Sequence, residues 1–406
     1  MITGYPDDVV RALRPGQRVY FQGGPGECGA FYNALRDNPG LANGVELWSC
    51  LIPGINTRDY GLLRGNVTLT TFMASPALEA SLASGRTKLR AMPYSEIGEL
   101  MAATEFDVAV LHVALPDRDG RCSFGVACDM PGLVWPKAGR CVAFVNERMP
   151  TIPGAEFIPA DAISLGVPID EPLMTPAVSA RPPNGALIEI ARRCAELVPD
   201  GATIQSGIGE APGAVVSALK LHRGLRVYSG IITPDYMQLA EAGALDSGAK
   251  HVTGVAWGDA AFQAWLPQSG FGFRSARETH GHAALAALDG FVSIGSALEV
   301  DLEGNLNLEW RAGRRISSVG GAPDYMRGAK ASAGGLSIIA LPATAGGASR
   351  IVPKLTAPSI SDDLTDVVVT EHGVARLKGL AGRTRAAALI AIAAPEHRGF
   401  LERSLR

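Results

Sequence analysis

The chain has 406 residues, a formal net charge of −3 and 19% charged residues. This length suggests two or three domains, which can bury a large core without disulfides or metal ions. No long Lys/Arg run indicates nucleic-acid binding, and no apolar stretch approaches the roughly 18 residues that a membrane-spanning helix needs. The first residues include early acidic side chains and no apolar signal-peptide block. We therefore expect a cytoplasmic, globular protein.

The composition is that of a turn-rich, well-buried α/β protein, with 48 glycines, 27 prolines and 47% hydrophobic residues. The six cysteines form no CxxC motif, so we predict reduced, mostly buried thiols rather than a zinc site. His280 and His282 flank one glycine but have no partner cluster in the sequence, and we expect no metal. The cysteines are Cys28, Cys50, Cys122, Cys128, Cys141 and Cys194.

The first glycine-rich motif lies in residues 15–35, which read PGQRVYFQGGPGECGAFYNAL. An apolar run precedes the glycines and a helix-like run follows them, so we predict a strand, a loop and a helix. Residues 199–219, PDGATIQSGIGEAPGAVVSAL, repeat this pattern. Such glycines either bring the backbone close to a ligand or only make a tight turn. The shared Q-x-G-x-G-E residues are Gln22, Gly24, Gly26 and Glu27, then Gln205, Gly207, Gly209 and Glu210.

Two further matches continue this internal repeat at nearly the same offset. LWSCLIPG (47–54) corresponds to VYSGIITP (227–234), and the polar turn in 113–123 corresponds to that in 299–307. Three ordered matches indicate a duplicated domain. The prolines of SARPPNGA (179–186) disfavour a helix there. We therefore predict an N-terminal domain over 1–180 and a C-terminal domain over 186–406.

Strand-length apolar runs alternate with Ala/Leu-rich helical segments in both halves. Examples are DVAVLHVAL, CVAFVN, SIIALP and DVVVT. This alternation predicts an α/β fold of two related domains, with mostly parallel sheets covered by helices. Parallel sheets bind ligands beyond the carboxyl ends of their strands, so we expect a cleft between the domains. Residues 383–405 are predicted to form a surface helix.

A third glycine-rich place is SSVGGAPDYMRGA (317–329). Gly320 and Gly321 lack side chains, so their N–H groups could face a developing oxyanion. The same pair could equally make an ordinary turn.

Several motifs in order resemble the acetyl-CoA hydrolase/transferase family, a branch of the class I CoA-transferases that includes 4-hydroxybutyrate CoA-transferases. They are DGATIQSGIGEAPGAVVSAL, SALEVDLEGNLNLE, VGGAPDYMRGA, GGLSIIALPATA, SRIVP, VVTEHGVARLKG and RAAALIAIAAPEHR in the C-terminal half, with PDRDGRCSFGVACD and IDEPL before the linker. The resemblance covers nearly the whole chain. It implies two related class I CoA-transferase-type domains, an acyl-CoA thioester substrate and a carboxylic acid acceptor.

The resemblance also implies a mechanism through a catalytic glutamate. In the family, that glutamate attacks the acyl-CoA and then carries CoA as a glutamyl thioester. It lies in a stretch resembling H-T-E-M-F-S-D-G, and residues 228–235 of this chain, YSGIITPD, place Gly230 at its position. No glutamate lies between Glu210 and Glu241. The usual glutamyl-CoA route is therefore not expected at position 230.

Three explanations remain open. Another carboxylate could replace the missing one: Glu210 first, then its repeat counterpart Glu27, with Asp235 the weakest. Glu210 could also be only a helix-start acid that the helix dipole favours. Alternatively, the site could hydrolyse, decarboxylate or cleave an acyl-CoA without a covalent carboxylate. An empty space at Gly230 would then hold water or a bulkier acyl group, and Ser229 would orient it. Finally, the protein could bind acyl-CoA without turnover.

We predict that Gly320 and Gly321 supply oxyanion-hole amides, with Glu210 as the candidate catalytic carboxylate. The ligand is expected to be coenzyme A as its substrate thioester, and the oligomeric state a homodimer. The residues predicted to line the acyl or CoA site are Gly24, Gly26, Glu27, Gln205, Gly207, Gly209, Ser229, Gly230 and Asp324.

Overall fold

A computed structural model describes residues 2–176 and 184–405 of the chain. The chain divides into two compact units. The first unit comprises Met1–Ala177, Val252–Thr279 and Ile316–Ser318, and the second comprises the rest. Most of the predicted linker, residues 179–183, lies outside the described residues, and the domain limits at 180 and 186 stay a prediction.

The elements up to residue 176 are ten strands and five α-helices. The strands are β1 (Ile2–Thr3), β2 (Arg18–Phe21), β3 (Glu46–Trp48), β4 (Thr68–Thr71), β5 (Thr87–Leu89), β6 (Val108–Val113), β7 (Arg121–Ser123), β8 (Cys141–Asn146), β9 (Phe157–Pro159) and β10 (Ile163–Ile169). The helices are α1 (Pro6–Arg11), α2 (Gly29–Asp37), α3 (Glu79–Ala83), α4 (Tyr94–Ala103) and α5 (Pro131–Val134).

Eight of these strands form one sheet in the order β1-β10-β8-β6-β2-β3-β4-β5. Every neighbouring pair is parallel. Strands β6 and β8 are buried along their whole length, as their mostly apolar sequences predict for strands covered on both faces. The remaining two, β7 and β9, pair antiparallel.

The elements after residue 184 are fifteen strands and nine α-helices. The strands are β11 (Thr203–Ser206), β12 (Arg226–Ile232), β13 (His251–Ala256), β14 (Phe271–Phe273), β15 (Phe291–Gly295), β16 (Glu299–Asp301), β17 (Leu306–Asn307), β18 (Trp310–Arg311), β19 (Arg314–Arg315), β20 (Leu336–Ala340), β21 (Thr344–Ala345), β22 (Ala348–Ser349), β23 (Ile351–Val352), β24 (Val367–Thr370) and β25 (Gly373–Arg376). The helices are α6 (Gly185–Ala195), α7 (Glu210–Ala218), α8 (Pro234–Glu241), α9 (Ala260–Trp265), α10 (Ala276–Thr279), α11 (His282–Ala286), α12 (Ala322–Ala331), α13 (Gly382–Ala391) and α14 (Pro395–Arg403).

In the second unit the main strands follow the order β12-β11-β15-β20-β24-β25. The first four pairings are parallel, and the last, between β24 and β25, is antiparallel. Helices α13 and α14 pack apolar side chains, including Leu389 and Leu401, into a buried cluster with strand β24. The single predicted C-terminal helix is thus two helices, because Pro395 starts α14 and cannot continue α13.

The two sheets share one topology, which confirms the α/β fold class. In the first unit β2 lies between β6 and β3, with β8 and β10 following β6. In the second unit β11 lies between β15 and β12, with β20 and β24 following β15. The two Q-x-G-x-G-E loops follow the matching strands β2 and β11 and precede helices α2 and α7. The predicted strand–loop–helix units are therefore present in both copies.

The matching polar turns also share their local chemistry. The Asp117 carboxylate accepts hydrogen bonds from the backbone N–H groups of Asp119 and Arg121, at 3.0 and 2.9 Å. The Asp301 carboxylate does the same for Glu303 and Asn305, at 3.0 and 2.9 Å. Such aspartates stabilise a tight turn by bonding the backbone two residues on.

The described residues hold six cysteines, all buried and without a disulfide, as the sequence predicts. No helix among residues 2–176 and 184–405 combines the length and apolarity needed to cross a membrane.

Candidate functional site

The first glycine loop is buried and internally bonded. The Asn56 side chain accepts a hydrogen bond from the Gly24 N–H at 3.0 Å and donates one to the Gly24 carbonyl at 2.9 Å. A Cβ on Gly26 would lie 2.8 Å from the Ala127 side chain, so glycine is required there for packing. The glycines of this loop therefore contact their own unit, and a ligand role for Gly24 and Gly26 stays a prediction.

Glu27 is a buried acid with three partners. Its carboxylate pairs with the Arg58 guanidinium at 3.1 Å and accepts hydrogen bonds from Asn56 at 2.6 Å and Tyr60 at 3.0 Å. The Glu27 side chain is fully buried. Burial and the nearby Glu27 charge raise the pKa of the Tyr60 hydroxyl. We therefore infer that Glu27 stabilises this loop, and its role as ligand group or substitute nucleophile stays a prediction.

The second glycine loop differs from the first in its exposure. Ile208 is 39% exposed, and Gly209 and Glu210 are exposed as well. Gly209 adopts a φ of +129°, which favours glycine, and Glu210 begins helix α7. Among the described residues the Glu210 side chain makes no hydrogen bond or ion pair. A carboxylate in the first turn of a helix is favoured by the helix dipole, so Glu210 is available but not held in one place.

Gln205 precedes this loop on strand β11 and is buried. Its side-chain oxygen accepts a hydrogen bond from the Ser293 hydroxyl at 3.0 Å, which joins β11 to β15. Gly207 donates its N–H to the Ile294 carbonyl at 2.9 Å, on the same neighbouring strand. Both residues thus bind strand β15, and a ligand role for them stays a prediction.

The third glycine pair starts helix α12. Gly320 has a φ of +55°, and Gly321 is the residue immediately before the helix. Within the described part of the chain, no acceptor bonds the N–H group of either glycine. Free N–H groups at the start of a ten-residue helix attract an anionic oxygen, because the helix dipole adds to their own polarity. Asp324, in the first turn, is buried, with a carboxylate oxygen 4.0 Å from the Arg327 guanidinium.

The space at Gly230 is occupied. A Cβ on Gly230 would lie 2.6 Å from Cε1 of His280, 2.8 Å from its Nε2 and 2.7 Å from the Tyr325 hydroxyl. The prediction of an empty space that holds water or a bulky acyl group is therefore wrong for the volume directly above the Gly230 Cα. The physical reason is that two side chains from other elements, His280 before α11 and Tyr325 on α12, fill it.

His280 also touches the glycine turn at the start of α12. A Cβ on Gly321 would lie 2.6 Å from His280 Nε2. The His280 and Tyr325 rings pack with centroids 4.7 Å apart. Burial lowers the pKa of His280 to about 3, which keeps the imidazole neutral near pH 7, and burial raises the pKa of Tyr325. We call these two side chains the His280–Tyr325 pair.

Ser229 lies next to Gly230 on strand β12 but is completely buried. Its hydroxyl donates a hydrogen bond to the Ile231 carbonyl at 2.8 Å. Because side chains alternate across a strand, Ser229 points away from the face on which a Gly230 side chain would stand. Its burial does not support the predicted contact with an acyl group.

Sequence reasoning identified Gly230 and Gly321 but missed the His280 and Tyr325 side chains that contact both of them. Tyr325 lies inside the GGAPDYM motif, yet no local pattern distinguishes it from a core tyrosine. The one available signal was Gly230 itself, because a glycine inside a strand often marks the close approach of another group.

The first unit has its own counterpart of Gly230. The 180-residue offset of the repeat places Cys50 there, beside a buried acid. Burial and the nearby Asp129 raise the pKa of the Cys50 thiol, so this cysteine is a poor nucleophile. The Tyr94 hydroxyl donates a hydrogen bond to Asp129, and burial raises the pKa of that carboxyl to about 6.

Because Asp129 is buried, we expect the stability of the protein to depend on pH. The substitution Asp129→Asn should remove this dependence. The folded protein holds the Asp129 proton up to about pH 6, whereas the unfolded chain loses it near pH 4. The free energy by which protonated Asp129 favours the folded state is therefore fully present below pH 4 and is lost as the pH rises to 6. We expect the unfolding free energy of Asp129→Asn, relative to the wild type, to increase by about 2–3 kcal/mol between pH 4 and pH 7. Urea unfolding at both pH values measures it. The exposed Asp289→Asn is the control, and an equal change in both variants would contradict the assignment.

Among residues 2–176 and 184–405, no group of three or more His, Cys, Asp or Glu is placed to hold a metal ion.

Comparison with known proteins agrees with this architecture. The acetyl-CoA hydrolase/transferase N-terminal domain matches residues 6–179, and the C-terminal domain of the same family matches residues 258–405. The 4-hydroxybutyrate coenzyme A transferase of Clostridium kluyveri is 32% identical, over 97% of this chain and 95% of that protein. An acetyl-CoA hydrolase of Kluyveromyces lactis is 29% identical over 46% of this chain and 37% of its own length.

Two solved structures are similar over nearly the whole chain. RipA from Yersinia pestis has a TM-score of 0.92 at 26% identity, covering 99% of this chain and 96% of its own. A 4-hydroxybutyrate CoA-transferase from Porphyromonas gingivalis has a TM-score of 0.82 at 31% identity, covering 100% and 97%. The chain therefore belongs to the acetyl-CoA hydrolase/transferase family and is an enzyme of that class.

Proposed function

We propose that the chain acts on an acyl-CoA thioester whose carbonyl oxygen is held by the N–H groups of Gly320 and Gly321. The observation that carries this proposal is the pair of unpartnered amides at the start of α12. A nucleophile that adds to a thioester drives negative charge onto the carbonyl oxygen, and preorganised N–H donors stabilise that charge. The names of the relatives, which include a butyryl-CoA:acetate CoA-transferase at 31% identity, support a short acyl chain.

We propose hydrolysis as the reaction, with water as the nucleophile. Glycine at position 230 has no side chain that could attack the thioester, and the His280–Tyr325 pair fills the volume above it. Water adds to the carbonyl carbon, the oxyanion forms at Gly320 and Gly321, and its collapse expels CoA as the thiolate. The products are a carboxylic acid and free CoA.

A second candidate function is CoA transfer through Glu210. The exposure of Glu210, and its lack of a described partner, favour this candidate. In this reaction Glu210 attacks the thioester, which gives a mixed anhydride and CoA thiolate. The thiolate then attacks the glutamyl carbonyl, which releases the first carboxylate and leaves a glutamyl thioester, and a second carboxylic acid takes over the CoA by the reverse steps.

Intact-protein mass spectrometry separates the two candidates. The protein is mixed with acetyl-CoA, butyryl-CoA or 4-hydroxybutyryl-CoA and quenched in acid within seconds. Hydrolysis predicts free CoA in solution and a protein of unchanged mass, and Glu210→Gln should retain the wild-type rate. A protein that gains the mass of CoA, and loses this adduct in Glu210→Gln, would favour transfer.

If no acyl-CoA in the panel is consumed, both reactions are contradicted for these substrates. A thermal shift by acyl-CoA without consumption would then support a binding protein, the third possibility from the sequence. Light scattering on the same sample tests the predicted homodimer.

A further inference from the structure

The segments that follow three neighbouring parallel strands meet around Arg350, in the second unit. Strands β15, β20 and β24 are adjacent and parallel. The Arg350 N–H donates to the Ala343 carbonyl at 2.9 Å, and the Arg350 carbonyl accepts from the Val300 N–H at 2.8 Å. Val300 follows β15, Ala343 follows β20, and the Ala343 N–H donates at 2.9 Å to Glu371, directly after β24. Arg350 therefore lies at the carboxyl edge of this sheet, where parallel sheets bind their ligands.

The proposed oxyanion-hole amides lie at the same edge of the sheet. Helix α12 packs on the sheet through Tyr325 and Ala329, which form a buried cluster with Phe291 of β15. The helix leads into the amino end of β20, and its ten residues span about 15 Å, nearly the length of that five-residue strand at about 17 Å. The start of α12 therefore returns to the carboxyl edge, with Gly320 and Gly321 just before it.

The Arg350 guanidinium is half-buried and has no direct partner. Its Nε atom is buried without a hydrogen bond, and the guanidinium forms no ion pair within the part of the chain that the structure describes. Of its two acidic neighbours, Glu299 accepts a hydrogen bond from the Asn307 amide at 2.7 Å, and Glu371 accepts the one from Ala343. The charges of both acids act on Arg350 only from a distance, so its N–H groups still need acceptors.

A second arginine without a direct partner lies near Arg350. The Asn307 amide donates to Glu299 and also, at 2.8 Å, to the Trp310 carbonyl, so the chain returns to this region at the next residue, Arg311. Arg311 is exposed, and its side chain makes no hydrogen bond or ion pair to the described residues. Burial, and then the Arg311 charge, lower the pKa of the Arg350 guanidinium against the opposite effect of the two acids. An anion that binds both guanidiniums would relieve their repulsion.

We propose that Arg350 and Arg311 bind a carboxylate of the substrate. A carboxylate supplies two coplanar acceptor oxygens, which match the fork of N–H donors on a guanidinium. It also adds only one negative charge beside Glu299 and Glu371, whereas the phosphate groups of CoA together carry several charges, which these acids would repel more strongly. The carboxylate belongs either to the acyl chain of the thioester or to a separate carboxylic acid. The inference rests on the proposed action on an acyl-CoA, because both sites lie at one edge of the sheet.

Two CoA thioethers, which cannot be hydrolysed, test this site apart from turnover. S-(3-carboxypropyl)-CoA and S-butyl-CoA have the same chain length and the same phosphates, and they differ only in a terminal carboxylate against a methyl group. Isothermal titration into the full chain measures both dissociation constants. We expect the wild type to bind the carboxypropyl compound about tenfold more tightly, and we expect Arg350→Gln to abolish this difference.

Arg311→Gln is the second variant, because Arg311 is exposed and its replacement should not disturb the fold even if Arg350→Gln folds poorly. It should reduce the difference between the two thioethers to less than about threefold. Arg376→Gln is the matched control. Arg376 is also exposed, but it pairs opposite Val367, the first residue of β24, and therefore lies at the amino edge of the sheet. This control should keep the wild-type preference.

A second titration distinguishes the two sources of the carboxylate. Sodium butyrate is added to protein saturated with CoA, and binding that disappears in Arg350→Gln supports a separate carboxylic acid. A tighter carboxypropyl thioether supports the acyl chain. Equal binding of the two thioethers, together with no butyrate binding that depends on Arg350, overturns the carboxylate site.

The remaining outcomes separate this inference from the proposed function. If Arg350→Gln weakens both thioethers by the same factor, Arg350 contacts CoA itself and the carboxylate site is overturned. If the wild type binds neither thioether nor CoA, the proposed action on acyl-CoA fails and this inference fails with it. A wild type that shows the carboxylate preference but hydrolyses no acyl-CoA contradicts the hydrolysis alone.

Discussion

Gly230→Ala is expected to lower both the activity and the stability of the protein. The new Cβ would lie 2.6 Å from His280 Cε1 and 2.7 Å from the Tyr325 hydroxyl, far inside van der Waals contact. His280 cannot retreat toward α12, because its Nε2 is already 2.6 Å from where a Gly321 Cβ would be. Overpacking of this kind costs about 1–3 kcal/mol. The displaced imidazole would also press on the turn at Gly321, so we expect kcat to fall as well.

Denaturant unfolding and hydrolysis kinetics on the same preparation measure both effects. Gly185→Ala is the matched control, because a Cβ at Gly185 on helix α6 meets nothing within 4 Å. It should leave kcat unchanged and the unfolding free energy equal or slightly higher, since alanine favours a helix. A Gly230→Ala variant as stable and active as Gly185→Ala would contradict the packing described for the His280–Tyr325 pair.

The same crowding changes how the resemblance to the glutamate-dependent enzymes is interpreted. The volume above Gly230 is filled by side chains from two other elements. The His280 and Tyr325 side chains stand where the first atoms of a longer side chain would begin. Restoring a glutamate at position 230 therefore requires the removal of His280 as well, because the two groups compete for one volume.

Glu27→Ala is expected to destabilise the protein strongly. The change leaves the Arg58 guanidinium without its carboxylate and removes the acceptor for Asn56 and Tyr60, all in the first unit. Breaking a buried ion pair costs about 3–5 kcal/mol. Because the Arg58 side chain remains 35% exposed, we expect a smaller loss of about 2–4 kcal/mol in the unfolding free energy. Urea unfolding monitored by tryptophan fluorescence measures it.

Glu210→Ala is the matched control, because Glu210 occupies the same place in the second Q-x-G-x-G-E motif. Its side chain is exposed, so the expected change in unfolding free energy is within about 0.5 kcal/mol. Equal effects of the two substitutions would show that the loops are equivalent and would contradict the distinction drawn between a bonded Glu27 and an available Glu210.

These two loops show what a motif can and cannot predict. The shared glycines predicted two strand–loop–helix units, and both are present. The difference between the two glutamates depends on residues about 30 positions further along the chain. Asn56 and Arg58 bind Glu27, whereas the 180-residue offset of the repeat places Tyr236 and Gln238 in the second copy, where neither offers a positive charge.

The sequence by itself determined the α/β class, the duplication, the two glycine loops and the aspartate turns of this protein. Each of these depends on local signals: apolar periodicity, glycine at a tight turn, and a carboxylate that bonds its own backbone. The family resemblance likewise rests on motifs that can be read in order along the chain.

Only the tertiary structure decided which residues form the candidate site. Gly230, His280 and Gly321 lie far apart in the chain, and their contacts exist because strand β12, the segment before α11 and the start of α12 pack together. Burial, which suppresses charge on His280 and raises the pKa of the Tyr325 hydroxyl, is likewise a property of that packing. No local pattern encodes it, because the free energy of a buried polar group depends on all of the neighbours that remove it from water.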